Sequence, residues 1–99
     1  MRVVFLKVAQ SEFDKAIAYY ESEKPGLGSR FRHEVLRTIN RIADYPTASE
    51  PLSKRSRRCL VAKFPYGIIY QYDPRANKIL VIAVAHLHRK SDYWLSRSG

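Results

Sequence analysis

The stretch KILVIAVAHLHRKSDYWLSR, residues 78–97, decides how the rest of the chain is arranged. Its first part is an unbroken apolar run from Ile79 to Ala85, which is typical of a strand covered on both faces. After the run come His86, His88, Arg89, Lys90, Tyr93, Trp94 and Arg97. A rigid strand that ends in imidazole, guanidinium and aromatic groups predicts a binding or catalytic site at that end of the sheet. The alternative is a strand end with solvated charges, where the tryptophan only closes the core.

The charge of the chain is unevenly distributed. Its 18 Lys and Arg residues outnumber its 9 Asp and Glu residues, for a net charge of +9. Residues 1–44 contribute +2 (8 basic, 6 acidic), whereas residues 45–99 contribute +7 (10 basic, 3 acidic). The positive second half favours a nucleic acid or an acidic protein segment as partner. A basic surface without a specific ligand would have the same composition.

Length and cysteine content limit the class of protein. Ninety-nine residues with 45% hydrophobic content fit one domain, residues 1–99. Cys59 lies among apolar residues and is interpreted as a small core side chain, and a lone cysteine indicates a reducing compartment. The N-terminal apolar run is too short for a signal peptide, and no stretch approaches the ~20 apolar residues of a membrane span. We therefore expect a soluble, cytoplasmic protein with no membrane partner.

The predicted element order is β-α-α-β-β-β with a short C-terminal segment. The first strand is expected at Arg2–Val8, and the first helix at Ser11, which has Asp14 three residues later in a capping-box arrangement. Pro25-Gly26 ends that helix, and a second helix follows from about Leu27 to Asp44. After a loop at 47–56, three strands are expected at Arg57–Phe64, Ile68–Tyr72 and Ile79–His86, with turns at 65–67 and 73–77. The short links require an antiparallel meander, so the prediction is an α+β fold with the helical hairpin on one sheet face.

This layout leaves one face of the last strand without a cover. Strict alternation places Ile79, Val81, Ala83 and Ala85 on one face, and Leu80, Ile82 and Val84 on the other. Two helices cover only one of these faces. Either the Tyr93-Trp94-Leu95 segment folds back over the second face or a partner covers it. We expect a partner, because a free monomer rarely exposes a large apolar patch.

The chemistry available at the strand ends is that of cations, imidazoles and a phenol. The set is Arg57, Arg58, Lys63, His86, His88, Arg89, Tyr93 and Arg97. The sequence has no metal-ligand spacing and no Gly-rich phosphate loop, so we expect no metal and no cofactor. The set contains a base, cations and an acid, as metal-free RNA cleavage requires. It would serve equally well to grip an acidic protein surface through guanidinium contacts, and the spacing does not separate the two uses.

Three patterns carry a family resemblance. The first, in residues 12–31, comprises Ala16, Tyr19-Tyr20, Pro25-Gly26-Leu27-Gly28 and Arg30-Phe31. The second is Phe64-Pro65-Tyr66 followed by Ile69-Tyr70, and the third is the run 82–86 (IAVAH) followed by Arg89, Tyr93-Trp94 and Arg97. Together they resemble the RelE/ParE superfamily of bacterial toxins, in particular its ParE-like, "plasmid stabilisation" branch.

The resemblance implies a growth-inhibiting toxin of a type II toxin–antitoxin pair, wrapped and neutralised by an antitoxin with an acidic or amphipathic segment. ParE-like toxins poison DNA gyrase and do not cleave RNA, so gyrase is the implied target. The residues expected to contact it are Arg58, His86, His88, Arg89, Tyr93, Trp94 and Arg97. The RelE-like alternative is a ribosome-dependent mRNA endonuclease, whose catalytic residues here would be Arg58, Lys63, His86, Arg89 and Tyr93. A third hypothesis is a basic nucleic-acid-binding module without toxicity.

Overall fold

The computed structural model describes residues 1–90 and 92–97, and it shows two helices on one face of a five-stranded sheet. The elements are β1 (Arg2–Phe5), α1 (Lys7–Glu23), α2 (Leu27–Asp44), β2 (Glu50–Pro51), β3 (Ser56–Leu60), β4 (Tyr66–Asp73) and β5 (Lys78–His86). The strand order is β1-β5-β4-β3-β2. β1 is parallel to β5, and the other neighbouring strands are antiparallel. The predicted α+β fold is confirmed, and the two-residue strand β2 is an addition within the expected loop 47–56.

The helical hairpin is closed by a carboxylate and two glycines. Gly26 has φ +88°, a left-handed conformation that favours glycine. Gly28 lies so close to α1 that a Cβ at this position would be 2.6 Å from the carbonyl oxygen of Ile17. Glu21 accepts hydrogen bonds from the backbone N–H groups of Gly26 (3.0 Å) and Gly28 (3.1 Å). The Pro-Gly-Leu-Gly segment therefore fixes both the turn and the close approach of the helices, and Glu21 caps α2.

The first helix begins earlier than its sequence predicts. It starts at Lys7 instead of Ser11, and β1 ends at Phe5 instead of Val8. Ala9, in the first turn of this helix, is fully buried in the core, and this packing outweighs the strand preference of the β-branched Val8. The expected capping box is also wrong, because Asp14 lies within the helix and accepts a hydrogen bond from the side chain of Gln10.

The first meander strand and its turn are also shifted. β3 ends at Leu60 instead of Phe64, and β4 already begins at Tyr66, so the expected turn at 65–67 is wrong. The chain turns at residues 62–65, where Lys63 adopts a left-handed conformation with φ 71°. The turn before β5 lies where it was predicted, with Asn77 at φ 50°.

The core on the helix-covered face of the sheet contains a cluster of aromatic side chains. The centroid of the Phe31 ring lies 5.0 Å from that of Tyr20, 5.1 Å from that of Phe64 and 4.9 Å from that of Tyr66. The apolar stripe of α2, formed by Phe31, Val35, Ile39 and Ile42, is buried here, and Cys59 packs at the edge of the same core, half-buried. Some residues of the family resemblance thus meet in one core, namely Ala16, Tyr20, Phe31, Phe64 and Tyr66, whereas Tyr19 and Arg30 are exposed.

A β-bulge changes which side chains of β5 share a face. Val81 lies opposite Tyr70 and Ala83 opposite Ile69, so Ile82 is an extra residue between two paired positions. Ile79, Val81 and Val84 pack on the helix side, whereas Ile82, Ala83 and Ala85 pack on the opposite side. The strict alternation expected along this strand therefore holds up to Ile82 and is wrong from Ala83 onwards.

The opposite face is covered by the chain's own C-terminal residues 92–97, which we call the tail. Trp94 is only 4% exposed and packs against Ile69, Ile82, Ala83 and Ala85, all of which are buried. The expectation of an uncovered patch is wrong, because the tail is sufficient to bury this face. A covering partner therefore does not follow from the packing of β5. Within the described residues, no helix has the length and apolar character needed to cross a membrane.

Candidate functional site

The tail is anchored at the part of β5 that β1 leaves unpaired. β1 is only four residues long, and its pairing with β5 ends at Phe5 opposite Val81. Beyond that point the backbone of β5 needs other partners on this edge. The N–H of Val84 donates to the Glu12 carboxylate at 3.0 Å, and the carbonyl of Ile82 accepts from Arg97 at 3.0 Å. A side-chain pair thus continues the hydrogen bonding that the short strand does not provide.

Glu12 joins the helix layer, the strand and the tail. Arg97 binds its carboxylate with two nitrogens, at 2.8 Å and 3.0 Å, in the bidentate geometry that makes guanidinium–carboxylate pairs strong. The side chains of Glu12 and Arg97 are 14% and 13% exposed. The hydroxyl of Tyr93 donates to Glu12 at 3.0 Å, and Arg89 lies 3.3 Å from the same carboxylate oxygen. We call these four residues the Glu12 cluster.

Tyr93 is held tightly within this cluster. The guanidinium carbon of Arg89 lies 3.6 Å from the centre of the Tyr93 ring, and that of Arg97 lies 4.8 Å from it, both within cation–π range. Burial, followed by the charge of Glu12 and the hydrogen bond to it, raises the pKa of Tyr93 to about 12. A phenol with this pKa stays protonated at neutral pH, so its hydroxyl serves as a hydrogen-bond donor that orients the tail.

The two histidines lie at the turn between β5 and the tail. The His86 ring contacts the Tyr66 ring edge-on, with 5.1 Å between centroids. The centroid of the His88 ring lies 5.0 Å from that of His86. The Nδ1 atom of His86 accepts a hydrogen bond from the backbone N–H of His88, so Nε2 carries the proton in the neutral ring. The N–H of Arg89 then bonds to the carbonyl of His86 at 3.1 Å, which closes the turn.

The remaining predicted cations lie apart from the Glu12 cluster. Lys63 pairs with Glu34 of α2 at 3.6 Å, on the helix side of the molecule. Arg58 pairs with Glu50 of β2 at 2.9 Å, and its aliphatic stem packs over Gly67. Arg57 donates to the carbonyl of Ser49 at 2.8 Å. The Lys63 pair stabilises the turn at residues 62–65, and the bonds of Arg57 and Arg58 stabilise the edge of the sheet at β2 and β3. The predicted set therefore does not form one constellation.

Trp94 and Arg97 have inward-facing roles. Trp94 belongs to the core of the tail-covered face, and Arg97 is engaged with Glu12 and with the backbone of β5. Both were predicted to contact a target, but their burial leaves little of either side chain for this. Arg89 (53% exposed) and the exposed His88 lie at the surface beside them.

Glu12 is the residue of this candidate site that sequence reasoning missed. In the sequence it is one of several charged positions beside the apolar stripe of α1, 85 residues from Arg97. The sequence gives no signal for this role, because the first and last strands are predicted to be nearly equal in length. Only the observed four-residue length of β1 leaves backbone groups of β5 that need side-chain partners.

Comparisons with known proteins identify the family. The family model described as ParE toxin of the type II toxin–antitoxin system, parDE, matches residues 3–93. A chain from the solved structure of the chromosomal ParDE TA system of P. aeruginosa aligns with a TM-score of 0.73 and 10% sequence identity, covering 89% of this chain and 97% of that chain. At this identity the likeness shows the fold alone. A search of curated proteins finds no match. Since the family model matches residues 3–93, which is most of the chain, this chain belongs to the ParE toxin family of type II toxin–antitoxin systems.

Proposed function

We propose that this protein inhibits bacterial growth by poisoning DNA gyrase, and that a cognate antitoxin neutralises it. The observation that carries the toxin class is the family match over residues 3–93. The ParE resemblance supports gyrase as the target. Gyrase and the antitoxin would both be met in the cytoplasm, so the proposal places the protein there.

The surface proposed to contact gyrase is the turn that the Glu12 cluster supports. Arg89 is exposed enough to reach a partner, yet its guanidinium is oriented by stacking on Tyr93 and by the Glu12 carboxylate. An arginine ordered in this way loses little side-chain entropy when it binds. His88 is exposed beside it and adds a second polar contact. In this proposal Tyr93, Trp94 and Arg97 position the surface, and Arg58 and His86 lie at its margin.

The RelE-like alternative is less well supported by the positions of its required groups. Lys63 is engaged with Glu34 on the helix side, whereas the hydroxyl of Tyr93 is bonded to Glu12 at the edge of β5. A metal-free nuclease needs its cations, base and acid around one phosphate. The separation of these two residues therefore favours the gyrase proposal over RNA cleavage.

The antitoxin is supported by the family and by charge. Toxin–antitoxin membership implies an antitoxin partner, and the net charge of +9 favours an acidic segment in that partner. Because the tail covers the face opposite the helices, the antitoxin would bind a surface that is already folded.

Expression of the chain with and without its neighbouring small gene tests this proposal. Expression alone should stop growth, and co-expression of the antitoxin should restore it. Arg89→Ala should weaken the toxicity without lowering the melting temperature. The matched control is Arg75→Ala, which removes the same exposed charge from the turn before β5 and should stay toxic. Normal growth of cells that contain soluble wild-type protein would contradict the proposal.

Two assays with purified protein separate the targets. Added to gyrase and plasmid, the protein should reduce supercoiling or trap cleaved DNA. Added to translating ribosomes, it should leave the mRNA whole. Intact gyrase activity together with cleaved mRNA would select the RelE-like alternative.

A further inference from the structure

A basic groove lies where β5 begins, away from the turn that bears Arg89. The groove has a volume of about 540 Å³, and its lining includes Lys54, Arg55, Arg57 and Lys78. Lys78 begins β5 and His86 ends it, so about 26 Å of strand separates the groove from the turn that bears Arg89. The two surfaces are therefore far enough apart to bind different ligands at the same time.

The side chains that line the groove carry a net positive charge. Its lining contains four cations and a single carboxylate, that of Asp73. One oxygen of this carboxylate accepts the backbone N–H groups of Arg75 and Ala76 within its own turn. In the part of the chain that the structure describes, neither Lys54 nor Lys78 has a carboxylate at ion-pair distance. The groove therefore attracts an anion that supplies the missing negative charge.

The donor groups of the groove select the kind of anion. Lysine and arginine side chains can only donate hydrogen bonds. A bound peptide presents N–H donors as well as carbonyl acceptors and usually needs an apolar anchor pocket or a free strand edge. A phosphodiester backbone presents acceptor oxygens alone, and its usual partners are cations and exposed hydroxyls such as that of Ser53.

The groove also extends in one direction, as a nucleic-acid backbone requires. A second cavity of about 230 Å³ shares Lys54 and Arg55 with it and continues towards Leu95. Trp94 and Tyr72, the aromatic residues of the two linings, are buried and half-buried in the two cores, so they do not form an exposed platform on which bases could stack. Contact with phosphates and not with bases is typical of sequence-independent binding to a duplex. We propose that this groove binds the phosphodiester backbone of duplex DNA.

Fluorescence anisotropy with a labelled 16-base-pair DNA duplex tests the proposal on the purified full-length chain. For three to four neutralised phosphates, the logarithm of the binding constant should fall with the logarithm of the salt concentration with a slope of about −3. The double substitution Lys54→Gln, Lys78→Gln should weaken binding about tenfold or more at 0.1 M salt and reduce the slope by about 2. The matched control, Lys15→Gln with Lys24→Gln, removes the same charge from exposed positions of α1 and its end, and should leave affinity and slope nearly unchanged.

Several results would overturn the proposal. They are no duplex binding at low salt, equal losses in the two double variants, and tighter binding of a single strand of the same length. Polyglutamate that binds more tightly than DNA and loses affinity in Lys54→Gln, Lys78→Gln would assign the groove to an acidic protein instead. Because the assay needs neither gyrase nor toxicity, its result tests DNA binding independently of the proposal that the protein inhibits growth.

Discussion

The two faces of the sheet are buried by different means. On the helix-covered face, two long helices and a cluster of aromatic rings centred on Phe31 fill the core. On the tail-covered face, six residues at the end of the chain bring Trp94 over the strands, and charge-assisted hydrogen bonds to Glu12 hold them there. The first face depends on buried apolar area, which is distributed over many residues. The second depends on the carboxylate of Glu12, so loss of this one group should be enough to detach the tail.

This difference indicates at which face a substitution can alter the structure locally without unfolding the whole domain. Loss of an aromatic side chain from the helix-covered face affects the whole domain, because both helices and the central strands pack on it. Loss of the Glu12 contacts releases the tail and leaves the other core intact. The surface proposed to bind gyrase lies at the second face, so toxicity should be more sensitive than stability to changes there.

The largest effect is expected for Phe31→Ala. Phe31 is fully buried and contacts four other aromatic rings, so its truncation leaves a cavity that the rigid hairpin cannot fill. The free energy of unfolding should fall by about 4 kcal/mol. Urea denaturation followed by far-UV circular dichroism measures this, and a loss below about 1 kcal/mol would show that the core of this face lies elsewhere.

A smaller loss is expected for Trp94→Ala, because fewer elements depend on the tail-covered core. The ring is 4% exposed, so its removal should lower the stability by about 3 kcal/mol. Differential scanning calorimetry of this variant beside wild type provides the measurement. Equal melting temperatures would mean that the indole is exposed in solution, and would restore Trp94 as a candidate contact for gyrase.

The smallest effect is the pH dependence contributed by Tyr93. Burial first, and then Glu12, raises the pKa of Tyr93 from 10.0 to about 12. A phenol whose pKa is higher in the folded state stabilises the fold fully below pH 10, and this contribution disappears as the pH rises from about 10 to about 12. The stability difference between wild type and Tyr93→Phe should therefore be constant up to about pH 9 and then shrink.

The size of this change is limited by solvent, because Tyr93 is only half-buried. The slope should stay well below the 1.4 kcal/mol per pH unit that one full proton would give. Urea titrations at several pH values measure the difference, and the other tyrosines cancel in the comparison. A difference that stays flat to pH 12 would mean that the hydroxyl is not bonded to Glu12.

The helix-covered face could be predicted from the sequence because its signals are local. Phe31, Val35 and Ile39 recur with the period of a helix and are buried as that period requires. The Pro25-Gly26 turn and the turn before β5 are determined by residues with restricted or permissive backbones. The helix start was misplaced because its cause is the burial of Ala9 in the assembled fold, which no neighbouring residue signals.

The tail-covered face was harder to predict for two physical reasons. β5 is apolar on both sides, so its pattern contains no alternation that a bulge at Ile82 would interrupt, and the true facing of Ala83 and Val84 could not be read. The Glu12–Arg97 bond joins residues far apart in the chain, and an isolated carboxylate on an amphipathic helix looks like a solvated one. The sequence identifies the imidazole, guanidinium and aromatic residues of this region. It does not predict which of them face inward and which are exposed, because that depends on the path of the tail over the sheet.

Glu12 holds the tail against the sheet, and Trp94 reports on this contact because it is the only tryptophan in the chain. The most direct measurement is the intrinsic fluorescence of Glu12→Gln, which removes the charge and keeps the shape of the side chain, recorded together with far-UV circular dichroism. We predict that the emission shifts to longer wavelength, as for a solvent-exposed indole, while the circular dichroism spectrum stays that of wild type. An unchanged emission maximum in this variant would contradict the account, because the tail would then be held by packing alone.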